Sequence, residues 1–292
     1  MIRVHRSNEP RGLVRARGHR LGDAIAAYEA HGAPSQELSD TLKGYGSRAT
    51  KKALFKAQFK KCAWCEIRQP FSSSPVEHYR PKDGAWRHLP GQARRVDDGH
   101  YWWLTWTWTN LFFACSRCND QAHKANHFPR VPGTLPAPTP TRPVQVPPAT
   151  PFFDVSQERP LLLDPADPAV DPLDHVVWQP FDTKLARRLW KWVPRGLTDR
   201  GRATIAILRL DEFTDDVSDH LRVAVPPSIE ETERHLQNGR KADGVQRWQT
   251  LLGDVLAPDS QLSAATWFAL ERWMPASERA KHGLTDPPRL GQ

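Results

Sequence analysis

The chain of 292 residues contains four cysteines, and they fall as two Cys-x-x-Cys pairs, Cys62/Cys65 and Cys115/Cys118, with 49 residues between them. This pattern constrains the fold more than any other. A Cys-x-x-Cys turn sets two thiols on one side of a tight knuckle, and two knuckles together complete the tetrahedral sulfur site that structural zinc prefers. Disulfides are disfavoured in a chain without an export signal, so the pairing points to metal. Four ordinary buried cysteines are the plain alternative, and against it every cysteine is used in ligand spacing. Four protein ligands close the site, so the expected zinc folds its module and does not catalyse.

The length allows one large domain or two modest ones, and 39% hydrophobic with 25% charged residues suits a mostly globular chain. Charge is divided unevenly. Residues 1–130 hold 22 Lys+Arg against 11 Asp+Glu, and residues 131–292 hold 19 against 22, which together give the net +8. A basic front half fits a polyanionic partner, because each cation set against a phosphate releases a counterion; a merely solvated surface accounts for the charge equally well. The longest apolar stretch without a charge, residues 101–114, carries Asn110 and three threonines and is too short and polar to span a bilayer. The start, Met1-Ile2-Arg3-Val4-His5-Arg6, leads into no apolar signal region, so a cytoplasmic location is expected.

Along the chain, four regions are expected. Residues 1–60 read as a short strand at 2–4 followed by helices, one within 21–30 and a better one over 50–60 that delivers the first cysteine pair. Residues 61–130 form the metal module, with a loop over 83–99 and the aromatic run Tyr101-Trp102-Trp103-Leu104-Thr105-Trp106-Thr107-Trp108, read as core packing ahead of base stacking. Residues 131–151 carry eight prolines and read as an extended linker or surface loop. Residues 152–292 read as mainly helical, suited to docking a partner. A hairpin is expected around 176–192 and helices over 200–210, 228–252 and 261–274, the second opened by a Ser228/Glu231 capping box. No internal repeat is found.

The chemistry gathers around the knuckles. Val76-Glu77-His78-Tyr79-Arg80-Pro81-Lys82 lies between the pairs, Thr109-Asn110-Leu111 precedes the second pair, and Asn119 follows it directly. Phosphodiester hydrolysis needs a base for water and a cation, with its ligands, for the departing oxygen. His78 suits the base, because histidine titrates near neutrality. Glu77 and Asn119 offer oxygen ligands for a hard cation such as Mg2+ or Mn2+, and Asn110 can brace the imidazole or the turn. Arg80, Lys82, Arg117 and Lys124 flank this centre and read as phosphate contacts, or alternatively as partners of neighbouring acids. His123 and His127 are four apart on an expected helix and offer alternative ligands, although a surface or packing role is favoured.

These motifs, with Cys62-x-x-Cys65-Glu66, Cys115-x-x-Cys118-Asn119 and Lys124-x-x-x-Phe128-Pro129, resemble the HNH endonucleases of bacterial anti-phage systems. They are most similar to the nuclease subunit of Septu-type systems and to retron-associated HNH proteins. The resemblance covers residues 48–130, with looser agreement at 160–165 and 201–210. It implies an α+β fold, mainly helical, with an embedded zinc-stapled ββα-metal finger, and a nuclease working beside an ATPase of the ABC or SMC-like class. It further implies His78 as general base, Glu77 and Asn119 as ligands of the catalytic ion, and Asn110 as the middle asparagine. Two positions depart from the common pattern: Glu-His stands where many HNH enzymes have Asp-His or His-His, and Asn119 where many have histidine. The expected activity is cleavage of DNA ahead of RNA. The rivals are a non-catalytic zinc-knuckle subunit that binds nucleic acid or protein, and a structural subunit that the zinc merely staples.

Overall fold

A computed structural model of the chain describes residues 1–97, 101–134, 155 and 157–290. Most of the expected linker, residues 135–151, lies outside them. The N-terminal part is helical: α1 (Arg11–His31), α2 (Gln36–Thr41) and α3 (Arg48–Ala57). On α1 the buried positions Leu13, Arg17, Leu21, Ala24 and Ile25 recur at helical spacing and form one stripe. Ser47 starts α3 by accepting the Thr50 backbone N–H at 3.2 Å. Residues 2–4, expected as a strand, are not one; that segment instead hangs on single bonds such as Val4 N–H to the Pro165 carbonyl at 2.7 Å.

The middle of the chain holds short strands: β1 (Val76–His78), β2 (Ala85–Trp86), β3 (Val96–Asp97) and β4 (Leu111–Phe113), followed by α4 (Ser116–Asn119). β1 and β4 run antiparallel with Val76 opposite Phe113, Glu77 opposite Phe112 and His78 opposite Leu111. β2 pairs with β3, so the expected 83–99 loop contains a small ladder. Gln58, one residue beyond α3, acts as a further rung beside β4. Its amide accepts from Phe113 N–H at 2.8 Å and donates to the Phe113 carbonyl at 2.7 Å. The aromatic run is interior: Tyr101, Trp102, Trp103, Trp106 and Trp108 are all buried. Trp106 Nε1 donates to the Lys43 carbonyl at 2.9 Å, and Trp108 Nε1 to that of Ser7 at 2.8 Å, which satisfies two indoles inside the core.

The C-terminal part begins with a hairpin of β5 (Val176–Pro180) and β6 (Trp192–Gly196). Helices α5 (Asp199–Leu208), α6 (Thr214–Ala224), α7 (Pro226–Gln237), α8 (Lys241–Val255), α9 (Ser263–Trp273) and α10 (Ala276–His282) follow. The helix expected over 228–252 is two helices, broken at Gly239, whose φ of 71° belongs to the left-handed region that glycine tolerates. The expected capping box is absent: Ser228 and Glu231 sit inside α7, and both accept from Arg247 of α8. α9 is not the last helix, since α10 succeeds it.

One cluster of buried apolar residues extends from Met1 to Leu284, and residues from 1–60, 61–130 and 152–284 all contribute to it. Glu66 joins the first knuckle to α9. Its carboxylate accepts from Ala264 N–H at 3.2 Å, and its own carbonyl accepts from Leu262 N–H at 3.3 Å. No helix among the described residues is long and apolar enough to cross a membrane.

Candidate active site and metal centre

The two knuckles meet. The sulfur atoms of Cys62, Cys65, Cys115 and Cys118 all lie within 4.8 Å of one another, every one is buried, and no pair forms a disulfide. Local backbone explains how each pair turns. Glu66 takes a φ of 63°, closing the first knuckle with its N–H on the Cys62 carbonyl at 3.2 Å. Cys115 caps α4, its sulfur accepting from Cys118 N–H at 3.2 Å. Ligands about 2.3 Å from a tetrahedral zinc ion stand roughly 3.8 Å apart, and Cys65 Sγ and Cys115 Sγ are 3.8 Å apart. Burial opposes ionising Cys62, yet hydrogen bonds from the other three thiols outweigh it and set that thiol well below its ordinary range. Burial pushes the Cys65 thiol up. Soft donors, closed geometry and exclusion from water together fit a structural zinc ion.

Beside this cluster, β1 carries Glu77 and His78. His78 is 4% exposed, and burial holds its imidazole down to about 3, partly opposed by a bond to the Thr105 carbonyl. The ring is therefore neutral near pH 7. Its Nε2 lies 3.1 Å from the Thr105 carbonyl oxygen. A carbonyl can only accept, so Nε2 carries the hydrogen and Nδ1 keeps a free lone pair. Tyr45 packs edge-on against the ring with centroids 4.4 Å apart, fixing its plane. The ring is oriented and Nδ1 is placed to accept a proton, yet the burial that keeps it neutral also makes it a weaker base than the near-neutral histidine expected from the sequence.

Asn110 lies in the turn that precedes β4 and braces the chain leaving His78. Its Oδ1 accepts from Arg80 N–H at 2.7 Å, while Nδ2 donates to the carbonyls of Arg80 at 3.0 Å and Leu104 at 3.2 Å. Tyr79 N–H bonds the Asn110 carbonyl at 2.8 Å. Glu77 is buried, and burial raises its carboxyl, opposed chiefly by Lys124. The Lys124 ammonium is 2.6 Å from Glu77 Oε1 and 2.6 Å from the His78 carbonyl oxygen. Asn119 closes α4, half-buried, and its amide makes no hydrogen bond among the described residues. Only backbone links it to the others, through Lys124 N–H on the Cys118 carbonyl at 3.3 Å.

Each of the four cations read as phosphate contacts has an acidic partner, the alternative reading, two in buried pairs and two in exposed ones. Lys124 is fully buried against Glu77. Arg80 is largely buried, with Nε 2.9 Å from the wholly buried Glu158 carboxylate. Lys82 pairs with Asp83. Arg117 pairs with Asp216 at 2.8 Å, donates to the Glu212 carbonyl and lies over the Phe213 ring. The helix expected to carry His123 and His127 does not reach them, because α4 ends at Asn119. Both histidines are buried: His123, in a turn, bonds Asp120 at 2.8 Å, and His127, bridged to Trp86, bonds the His88 carbonyl at 3.0 Å.

Sequence reasoning missed Tyr45, Thr105, Gln58 and Glu158. Thr105 contributes only a carbonyl, which every residue possesses, and Tyr45 lies 33 positions from His78 in an unremarkable loop. Glu158 stood close to the proline-rich stretch, and its burial with Arg80 and Tyr101 had no local signal.

Comparison with known proteins finds a similar sequence in the Septu protein PtuB of Bacillus mycoides (strain KBAB4), 31% identical over 130 residues. The match takes in 44% of this chain and 43% of that protein, less than half of either. No family model matches the chain. No solved structure matches it either.

Proposed function

We propose that the chain is a metal-dependent HNH endonuclease that hydrolyses DNA phosphodiester bonds, acting in Septu-type anti-phage defence beside an ATPase partner of the ABC or SMC-like class. The observation that carries this reading is the placement of His78 on β1, its ring oriented by Nε2 on a backbone carbonyl and by Tyr45, with Nδ1 left to accept a proton. The similarity to the Septu protein PtuB supports the defence setting. The order β1, β4, α4, with the four thiols clustered beside it, supports the reading of a zinc-stapled ββα finger.

In this mechanism His78 Nδ1 takes a proton from the attacking water, and the Thr105 carbonyl keeps the ring oriented while charge develops on it. Asn110 holds the turn after His78 by three hydrogen bonds, so the base does not drift from its working position. Glu77, held in place by Lys124, and Asn119, whose amide is unengaged among the described residues, would hold Mg2+ or Mn2+. Such an ion supplies charge neutralisation at the departing 3′ oxygen. Cys62, Cys65, Cys115 and Cys118 would hold zinc that keeps β4, α4 and the first knuckle together.

The test is conversion of supercoiled plasmid in Mg2+ or Mn2+, by the chain alone and together with an ABC- or SMC-like ATPase. Cleavage is expected, and His78→Ala should slow it by about 10²-fold or more. Equal rates for the variant and the parent chain would remove His78 as the base.

A further inference from the structure

Each cation expected to contact phosphate beside the active site has an acidic partner, whereas α3 presents a group of cations without one among the described residues. A cavity of about 390 Å³ opens on the face of α3 opposite its core positions Thr50 and Leu54, with Phe55, Phe59 and Phe71 as its apolar walls. Arg48, Lys52, Lys56 and Lys60 surround it, and none makes a side-chain hydrogen bond or ion pair among the described residues. The one acid at the rim, Asp259, is already paired with Arg68 at 2.7 Å. Backbone strain adds a second sign of use. Phe59 and Lys60 both take left-handed conformations, φ 51° and 64°, where a helix end ordinarily places glycine. The result is a phenyl ring 44% exposed at the cavity edge.

We propose that this cavity is a binding site for an unpaired stretch of nucleic acid, one base stacking on Phe59 and Phe71 with the flanking phosphates on the α3 cations. Single strands are held by this combination, because every base has a face to stack while the cations follow the backbone. Arg48, Lys52 and Lys56 recur every fourth residue, about 6 Å apart along the helix, a ladder that a repeating phosphate chain can follow. One wall of the cavity reaches the strand that pairs with β1, because Phe55 packs on Phe113 of β4 at 5.1 Å. The choice of occupant rests on the nuclease reading; the cavity and its charge do not.

The experiment is fluorescence anisotropy of a labelled twelve-residue oligothymidylate and a labelled duplex of equal length. It uses the zinc-loaded full chain in buffer without Mg2+ or Mn2+. The single strand should bind in preference to the duplex. Phe59→Leu should weaken it by about 5- to 100-fold, the loss of one stacked base, whereas Phe59→Trp should retain it. The combined variant Lys52→Ala, Lys56→Ala, Lys60→Ala should reduce the slope of log affinity against log salt by about 2. Unchanged binding in the Leu and lysine variants overturns the proposal. So does binding of an acidic, tyrosine-bearing peptide at the cavity when the oligonucleotide does not bind, since that assigns the cavity to a protein partner. Because binding is read without the catalytic ion, a chain that binds in this way but fails to cut plasmid refutes the nuclease reading alone.

Discussion

Replacing Lys124 with methionine removes a buried ammonium and little volume. Its side chain is wholly buried and Glu77 is only 12% exposed, so the carboxylate is left with an uncompensated charge beside the knuckles. Losing one partner of a buried pair costs about 3–5 kcal/mol. At about 2–3 °C per kcal/mol for a chain of this size, the melting temperature should fall by about 6–15 °C. The second variant makes the test specific. Glu77→Leu combined with Lys124→Met removes the stranded charge, leaving mainly the His78 carbonyl without the ammonium donor seen at 2.6 Å. An unmade bond to one buried acceptor costs about 1–3 kcal/mol, so the double variant should be the more stable of the two. The assay is urea unfolding of the zinc-loaded parent, both single variants and the double variant, read as a cycle with a coupling of about 2 kcal/mol. A cost below about 1 kcal/mol for Lys124→Met, or strict additivity, would show that the pair is solvated in use and that the burial argument fails.

Two further outcomes follow from the same geometry. The purified chain should carry about one equivalent of zinc, and Cys65→Ala should lose it together with cooperative unfolding, because the ion joins segments 50 residues apart; metal analysis with thiol titration checks this, and four freely titratable thiols in the native chain would refute it. Asn110→Ala should lower stability by about 2–4 kcal/mol, since it leaves the Arg80 N–H and carbonyl without their partner and removes one of two donors to the Leu104 carbonyl, and should slow plasmid cleavage; denaturant melts and the nicking assay measure both, and a variant with unchanged stability would show that the amide does not hold the turn.

How far the residues alone could be read varies with the range of the interaction. α3 was legible because its apolar positions recur at helical spacing, although its true cap, Ser47, lies just outside the 50–60 window. The helix over 228–252 misled because Ser228 and Glu231 match a capping pattern that Arg247 claims instead, while the break comes from Gly239. The strand expected at residues 2–4 has suitable residue types but finds no neighbouring strand to pair with.

The paired cysteine turns and the interior character of the tryptophan run could be drawn from residue identity and spacing, because thiol chemistry and indole hydrophobicity travel with the residue wherever the chain puts it. The grouping of Glu77, His78, Asn110 and Asn119 as candidates came the same way. The task of each cation could not. Lys124, Arg80 and Arg117 find their acids 47, 78 and 99 positions away, and only folding sets which charges are buried against a partner and which stay free on α3. The same holds for the protonated nitrogen of His78, which is selected by a backbone carbonyl 27 residues distant. Every residue carries such a group, so no pattern of side chains announces it, and burial gives it weight by removing the water that would otherwise compete.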